Sequence, residues 1–459
     1  MNLVLLSGGS GKRLWPLSND ARSKQFLKVL QKENNELESM IQRVWGQLDK
    51  LGLTKSAVIA TSKTQVEMIR NHIGKGISII VEPERRDTFP AIALAASFLY
   101  SNKKISRDDV VGVLPVDSYV EDKFFARLLD LEDVLLTSNA DLALIGVKPT
   151  FPSEKYGYIV PKKEQLIKDV ISVSHFKEKP KLEEARLLLK QKALWNCGVF
   201  AFKLDKVLSL LEEKGLPVKY EELSKMYNHL PKISFDYEVV EKTENIVTLP
   251  YNGEWKDLGT WNTLTEEMAK PIIGRAKMSY DSSNTHIINE LDIPVSVLGL
   301  SNILVAASPD GILVTDKEAS PRVKELVGDL EQRPMYEERR WGWYRVLDHT
   351  KYDEQTEVLT KRINISTGKN LSYQYHNYRR EIWTILKGEG ILFLSGEFKM
   401  LKPGDIVEIP VGTKHAIKAV TDLELIEVQI GSQLVEEDNN RILLKWEDIE
   451  ELSYSVNKR

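Results

Sequence analysis

Four groups of residues have the types and spacing to do chemistry. The first is Leu6-Ser7-Gly8-Gly9-Ser10-Gly11-Lys12-Arg13-Leu14. Its glycines let backbone N–H groups approach phosphate oxygens, and Lys12 and Arg13 add the cationic donors a polyphosphate needs. It is not a Walker A loop, because Arg13 stands where Ser or Thr should follow Gly-Lys. Nor is it a dinucleotide fingerprint, because Leu14 occupies the place of the third glycine. Ser23-Lys24-Gln25-Phe26 supplies another lysine able to return to this loop. The second group is Asp117, at the end of an apolar strand run, and Asp257, between Trp255 and Trp261. Two carboxylates converging on a polyphosphate suit Mg²⁺, while either aspartate alone suits a cap or a turn. The third is Phe176-Lys177-Glu178-Lys179-Pro180, followed by Trp195-Asn196-Cys197-Gly198: a cation for a sugar phosphate and a carboxylate for hydroxyls, or else a charged surface turn. The fourth is Gln374, His376, Glu381 and His415, which uses two of only seven histidines. It is an N/O donor set for a divalent metal or a satisfied polar cluster in a core.

The elements that must carry these groups fall into three stretches. Over 1–150, runs at 3–6, 57–60, 77–81, 110–114 and 142–147 are apolar on both faces, and helical patterns at 37–48, 63–72, 91–100 and 123–136 lie between them. That alternation predicts an α/β, doubly wound fold with a covered parallel sheet, whose ligands bind beyond the carboxyl ends of the strands. From 156 to 261 the pattern is mixed, with a short strand at 198–202, and reads as a substrate-side elaboration. Near Pro271 helical periodicity stops. Short β-prone runs at 301–305 and 311–314 then predict a small β-rich connector resembling a few coils of β-helix. After Glu337-Glu338-Arg339-Arg340, runs at 358–365, 371–375, 382–386, 390–393, 405–409 and 423–429 with Gly turns predict a small closed barrel or jelly roll. A charged end at 436–459 is expected to form a helix or a frayed tail. The expected division is 1–268, 269–336 and 337–459.

Composition sets the outer bounds. The 459 residues include 63 Lys+Arg against 67 Asp+Glu, 42% hydrophobic residues and one cysteine. This is ordinary globular composition for several domains, not a disordered scaffold or a coiled coil. A net charge of −4 offers no global field for a polyanion, so no nucleic-acid partner is expected and anion binding must be local. Cys197 alone can form neither an intramolecular disulfide nor a cysteine-based zinc site, which suits a reducing, cytoplasmic setting. The first eight residues carry too short an apolar run for a signal peptide, and no membrane span is expected.

Taken together, Leu6–Ser18, Ser23–Phe26, Glu82–Ala93, Leu114–Asp117, Tyr156–Ile159, Glu178–Pro180, Trp195–Gly198, Phe235–Lys242 and Trp255–Trp261 resemble, in order, the signature of the sugar-nucleotide pyrophosphorylases, and within them the mannose-1-phosphate guanylyltransferases. The resemblance implies a Rossmann-like nucleotidyltransferase domain acting on GTP and mannose 1-phosphate. In it Leu6, Gly8, Gly9, Gly11, Lys12, Arg13, Glu82 and Arg86 would bind the nucleotide, and Arg13 and Lys24 would stabilise charge at the α-phosphate. Asp117 and Asp257 would hold Mg²⁺, Lys179 the sugar phosphate, and Gly157, Glu178 and Asn196 the hexose. A homodimer is expected. The chain departs from the family at Ser23, Asp87, Phe89, Val116 and Ser118.

Residues 371–383, with Ile409–His415, Phe393, Pro403–Asp405 and Ile426–Gly431, are similar to the cupin domain of type II phosphomannose isomerases. That likeness implies an all-β cupin barrel binding Zn²⁺ or another divalent metal through Gln374, His376, Glu381 and His415. Ile382 replaces the family's histidine after the ligand glutamate, and the closing Tyr-Gly-Arg is absent. The expected function is GDP-mannose synthesis with release of pyrophosphate. The alternatives are a bifunctional enzyme that also interconverts mannose 6-phosphate and fructose 6-phosphate, or a transferase for a related sugar 1-phosphate with a non-catalytic cupin.

Overall fold

The computed structural model describes residues 1–459 except 10, 11, 20, 33, 166–169, 331 and 457–459. The chain forms two compact units: 1–287 with 296–305 and 314–328, and 288–295 with 306–313 and 329–459.

In the first unit a nine-stranded sheet runs in the order Ser78–Glu82, Ala57–Ser62, Asn2–Ser7, Val110–Pro115, Leu194–Lys203, Leu142–Val147, Ile246–Tyr251, Ile171–Lys177, Tyr158–Gln165. Alternation sends Leu3, Leu5, Ala143 and Ile145 into one core, with Ile41, Val44, Phe124 and Leu128 from the helices Met40–Lys50 and Asp122–Ser138. Val4, Val111, Val113, Leu142 and Leu144 enter the other, with Ile92, Leu94, Val207 and Leu208 from Thr88–Ser101 and Leu204–Glu213. Both faces are therefore covered, as the apolar runs require.

The sheet is mixed rather than parallel. Asn2–Ser7 pairs in parallel with Ala57–Ser62 and Val110–Pro115, but the ten-residue strand Leu194–Lys203, longer than the expected 198–202, lies antiparallel to both Val110–Pro115 and Leu142–Val147. Apolar runs report burial of both faces and carry no information on direction. The first helix begins at Met40, not at 37, because Ser39 and Gln42 close a capping box there, and Leu37–Glu38 is a short strand. Thr88–Ser101 is apolar all round because it is buried along most of its length. Within 269–328 of this unit, Ser283 stacks on Ser301 (2.9 Å) and Asn284 on Asn302 (2.8 Å), the two asparagines at φ 47° and 61°. This is a repeat too short and too degenerate to stand out in the sequence. The same stretch also carries the short helix Val323–Val327.

In the second unit two antiparallel sheets face each other. One has the order Tyr336–Arg339, Gly342–Lys351, Glu357–Ile365, Leu423–Gly431, Arg379–Lys387, Ile406–Ile409, and the other Glu397–Leu401, Gly390–Leu394, His415–Ala419, Tyr373–Tyr375, Asn440–Leu443. Ile363, Trp383, Ile385, Leu392, Leu401, Ile417 and Leu425 fill the space between them. The charged Glu337–Arg339 segment lies within an edge strand whose residues are all half-buried, with Glu337 and Arg339 paired to each other. The last described element is the helix Trp446–Val456, with Trp446 and Ile449 buried against Tyr373 and Phe393. Among the described residues no helix is long and apolar enough to cross a membrane.

Candidate functional site

The strand Asn2–Ser7 delivers Leu6 and then Gly8 and Gly9 to the carboxyl edge of the large sheet. Gly9 has φ 115°, a conformation costly for any residue with a Cβ. Gly11 lies outside the described residues. A cavity of about 540 Å³ opens there, lined by Leu6, Gly8, Gly9, Glu82, Arg86 and Asp117. Six of the expected nucleotide-site and metal-site residues thus meet in one cavity. Arg13 is exposed at the turn Lys12–Leu14, and Lys12 Nζ donates to the Gly328 carbonyl at 3.1 Å.

Lys24 is held beside the loop by a buried polar relay. Ser23 Oγ donates to the Gly9 carbonyl at 3.2 Å, Gln65 Nε2 to Ser23 Oγ at 2.7 Å, and Gln25 Nε2 to Ser7 Oγ at 3.2 Å. The Lys24 ammonium lies 2.9 Å from Asp117 Oδ2 and 3.0 Å from Asp257 Oδ1. The aspartates meet because Ser118–Val120 and Trp255–Asp257 pair antiparallel, which places Asp257 at a strand end. Burial opposes charge at Lys24, but the two carboxylates outweigh it and raise its pKa. Burial likewise opposes charge at Asp257, and Lys24 and Arg13 more than compensate, lowering its pKa.

Glu82, at the end of Ser78–Glu82, is buried and accepts from the Tyr227 hydroxyl at 2.8 Å; burial raises its pKa. Arg86 donates to Glu84 Oε1 at 2.7 Å and to the Leu230 carbonyl at 2.8 Å. Asp87, a departure from the family, has φ 74° and accepts from Thr88 N at the start of the helix. Its ψ of −176° places it in a region that glycine alone adopts readily, so the backbone is strained here with either Asp or Asn.

Gly157, Glu178 and Asn196 come together beyond this cavity. A Cβ on Gly157 would lie 2.5 Å from Glu178 Oε2 and 2.5 Å from the Phe176 ring, so any side chain there would push Glu178 and Phe176 out of place. Asn196 N donates to the Gly157 carbonyl at 2.8 Å. Glu178 Oε1 pairs with Lys179 Nζ, whereas Glu178 Oε2 is buried with no hydrogen-bond partner among the described residues. Asp236, which the sequence marked only as part of the family signature, accepts from Asn196 Nδ2 at 2.7 Å; burial and the neighbouring Glu178 push its pKa up to about 7.

In the barrel, His376, Glu381 and His415 present atoms that all lie within 4.8 Å of one another. His376 Nδ1 is 3.0 Å from the Asp438 carbonyl and His415 Nδ1 is 2.9 Å from that of Thr413, which turns both Nε2 atoms toward Glu381, 3.1 and 3.6 Å away. Glu381 Oε2 and His415 Nε2 are buried and have no hydrogen-bond partner among the described residues. Two imidazole nitrogens and a carboxylate with orphaned buried atoms fit a divalent transition ion. Gln374 pairs across the sheet with His415, but its Oε1 accepts from Ser372 Oγ at 2.8 Å. Arg379, unforeseen, lies 3.0 Å from Glu381 Oε1; it shares the inward face of Arg379–Lys387 with Glu381 and Trp383, a period-two signal visible in the sequence. Behind the triad, Gln429 bridges Glu381 (3.2 Å) and Glu427 (2.8 Å), and Glu427 is pushed up to about 7 by burial and by the charge on Glu381.

The pattern of the nucleotidyl transferase family matches residues 2–272, more than half of the chain. The chain belongs to that family. The mannose-6-phosphate isomerase C-terminal pattern matches residues 330–443. A mannose-1-phosphate guanylyltransferase of Salmonella muenchen is 30% identical over 96% of this nucleotidyl transferase chain and 97% of its own. Xanthan biosynthesis protein XanB of Xanthomonas campestris is 30% identical over 97% and 98%. The crystal structure of a mannose-1-phosphate geranyltransferase from Thermus thermophilus superposes with a TM-score of 0.60 at 28% identity, covering 72% of this chain and 99% of that one.

Proposed function

We propose that the chain makes GDP-mannose and pyrophosphate from GTP and α-D-mannose 1-phosphate. The observation that carries this reading is the cavity lined by Gly8, Gly9, Glu82 and Asp117, with Lys24 clasped between Asp117 and Asp257 at its edge, in a chain related along its whole length to guanylyltransferases. A phosphate oxygen of the sugar phosphate forms a bond to the α-phosphorus of GTP, and the bond from that phosphorus to the bridging oxygen breaks, so the electron pair leaves with pyrophosphate. The Gly8–Arg13 loop cradles the triphosphate. Lys24 and Arg13 balance charge at the α-phosphate, Lys179 holds the sugar phosphate, and Gly157, Glu178 and Asn196 hold the hexose. Asp117 and Asp257 supply a hard oxygen donor set for Mg²⁺, which when bound neutralises phosphate charge. Catalysis here is positioning and charge stabilisation, with no covalent enzyme intermediate. The test is a grid of four nucleoside triphosphates against several sugar 1-phosphates, scored by pyrophosphate release. GTP with mannose 1-phosphate should be among the best pairs, and its absence there overturns the substrate assignment. We place this activity in a cytoplasmic homodimer supplying polysaccharide synthesis, with functional segments 1–268, 269–336 and 337–459.

The buried His376–Glu381–His415 triad favours a second reading, interconversion of mannose 6-phosphate and fructose 6-phosphate in the barrel. Turnover of mannose 6-phosphate after chelation and return of Zn²⁺, Co²⁺ or Mg²⁺ tests it. No turnover with any of these leaves the barrel a non-catalytic module.

A further inference from the structure

Lys24 occupies the position a divalent ion would need. Its ammonium touches one oxygen of each aspartate, at 2.9 and 3.0 Å, and the side chains of all three residues are partly open to solvent. A small hard cation binds carboxylate oxygens at about 2.1 Å. An ion on the same two oxygens would overlap the ammonium, and an ion on the two remaining oxygens would sit a few ångströms from it and repel it. The backbone at Lys24 is fixed by the Ser7–Ser23–Gln25–Gln65 relay, so only the flexible lysine side chain can yield. Its partner Asp117 also lines the cavity that contains Gly8 and Gly9.

We infer that Lys24 is a built-in counter-ion that a divalent cation must displace toward the phosphates, so that the aspartate pair takes the metal weakly on its own and strongly only when nucleotide phosphate receives the released ammonium. This rests on the reading of Asp117 and Asp257 as metal ligands. Lys24 then has two positions: between the aspartates in the free enzyme and against the nucleotide in the loaded one. The lysine stops the empty site from collecting free metal, and it couples arrival of the ion to charge compensation at the reacting phosphate.

Mn²⁺ is the probe, titrated into the full-length protein without nucleotide and followed by the loss of its free-ion electron paramagnetic resonance signal. Lys24→Met should bind Mn²⁺ at least about tenfold more tightly than the parent, because a unit charge at contact distance is removed. Lys24→Arg should return to the parent's weak binding. The gained affinity must vanish in Lys24→Met/Asp257→Asn, which excludes ions held in the barrel. Equal or weaker binding by Lys24→Met, or a gain that survives Asp257→Asn, overturns the inference. Melting curves in chelator check the fold of each variant, and Lys24→Gln repeats the comparison where the Met variant does not fold. Formation of GDP-mannose by the parent is scored separately. Product with no Mn²⁺ gain sinks the counter-ion role alone, whereas no product sinks the functional reading whatever Mn²⁺ does.

Discussion

Lys24, Asp117 and Asp257 have side chains 22%, 26% and 35% exposed at the edge of the large sheet, whereas His376, Glu381 and His415 in the barrel are 2%, 2% and 1% exposed. Both clusters oppose carboxylates to nitrogen cations or bases. In the first, water screens the charges and a flexible lysine can be exchanged for another cation. In the second, each charge is desolvated and locked by further buried partners, Arg379, Asp438, Gln429 and Glu427. A partly solvated site tolerates loss of a partner in folding but not in chemistry, and a buried site pays in stability for the same change.

The largest effect should come from the open site. Asp117→Ala and Asp257→Ala should each slow pyrophosphate release by about 1,000-fold or more while destabilising the fold by less than about 1 kcal/mol. Near-normal turnover in either variant removes that aspartate from the site. The reverse pattern is expected in the barrel. Glu381→Ala leaves Arg379 without its 3.0 Å partner, and denaturant titration should show a loss of about 3 kcal/mol with guanylyl transfer unchanged. A loss as small as at Asp117 would erase the contrast.

A third test uses pH. Asp236 binds its proton more tightly in the fold, at about 7 against 3.8. The native state therefore holds more protons than the unfolded chain between those values, and stability from this group is full at low pH and falls as pH rises through about 7. Asp236→Asn should flatten that fall, as read by melting temperature across the same range; an unchanged slope assigns it to other groups. The smallest effect is expected at Tyr227→Phe, which removes the 2.8 Å bond to buried Glu82 and should cost about 1 kcal/mol, with a raised KM for the nucleotide in initial-rate assays.

Much of this contrast was legible in residue types. The Gly8–Gly9 turn, the two aspartates and the Glu178 and Asn196 segments were chosen from local chemistry, Gly157 followed only from the family resemblance, and the fold brings each group together. What stayed hidden has a common cause: side chains whose role is to hold others. Ser7, Ser23, Gln25 and Gln65 are ordinary polar residues until burial makes their hydrogen bonds obligatory. Asp236 acquires its place from a partner on another segment, whereas the inward register of Arg379 was readable and only its pairing with Glu381 was not. The antiparallel course of Leu194–Lys203 was equally invisible, since a strand covered on both faces reads the same in either direction.

By itself the sequence determined the motif chemistry, the alternation that gives the first unit a sheet covered on both faces, and the succession of short strands that gives the barrel. These are properties of neighbouring residues and of periods along the chain. Only the tertiary structure decided that Lys24 lies between Asp117 and Asp257, and that Glu381 sits dry between two histidines and an arginine. Distance in space and exclusion of water set the energies of charges, and neither is written in any local stretch of residues.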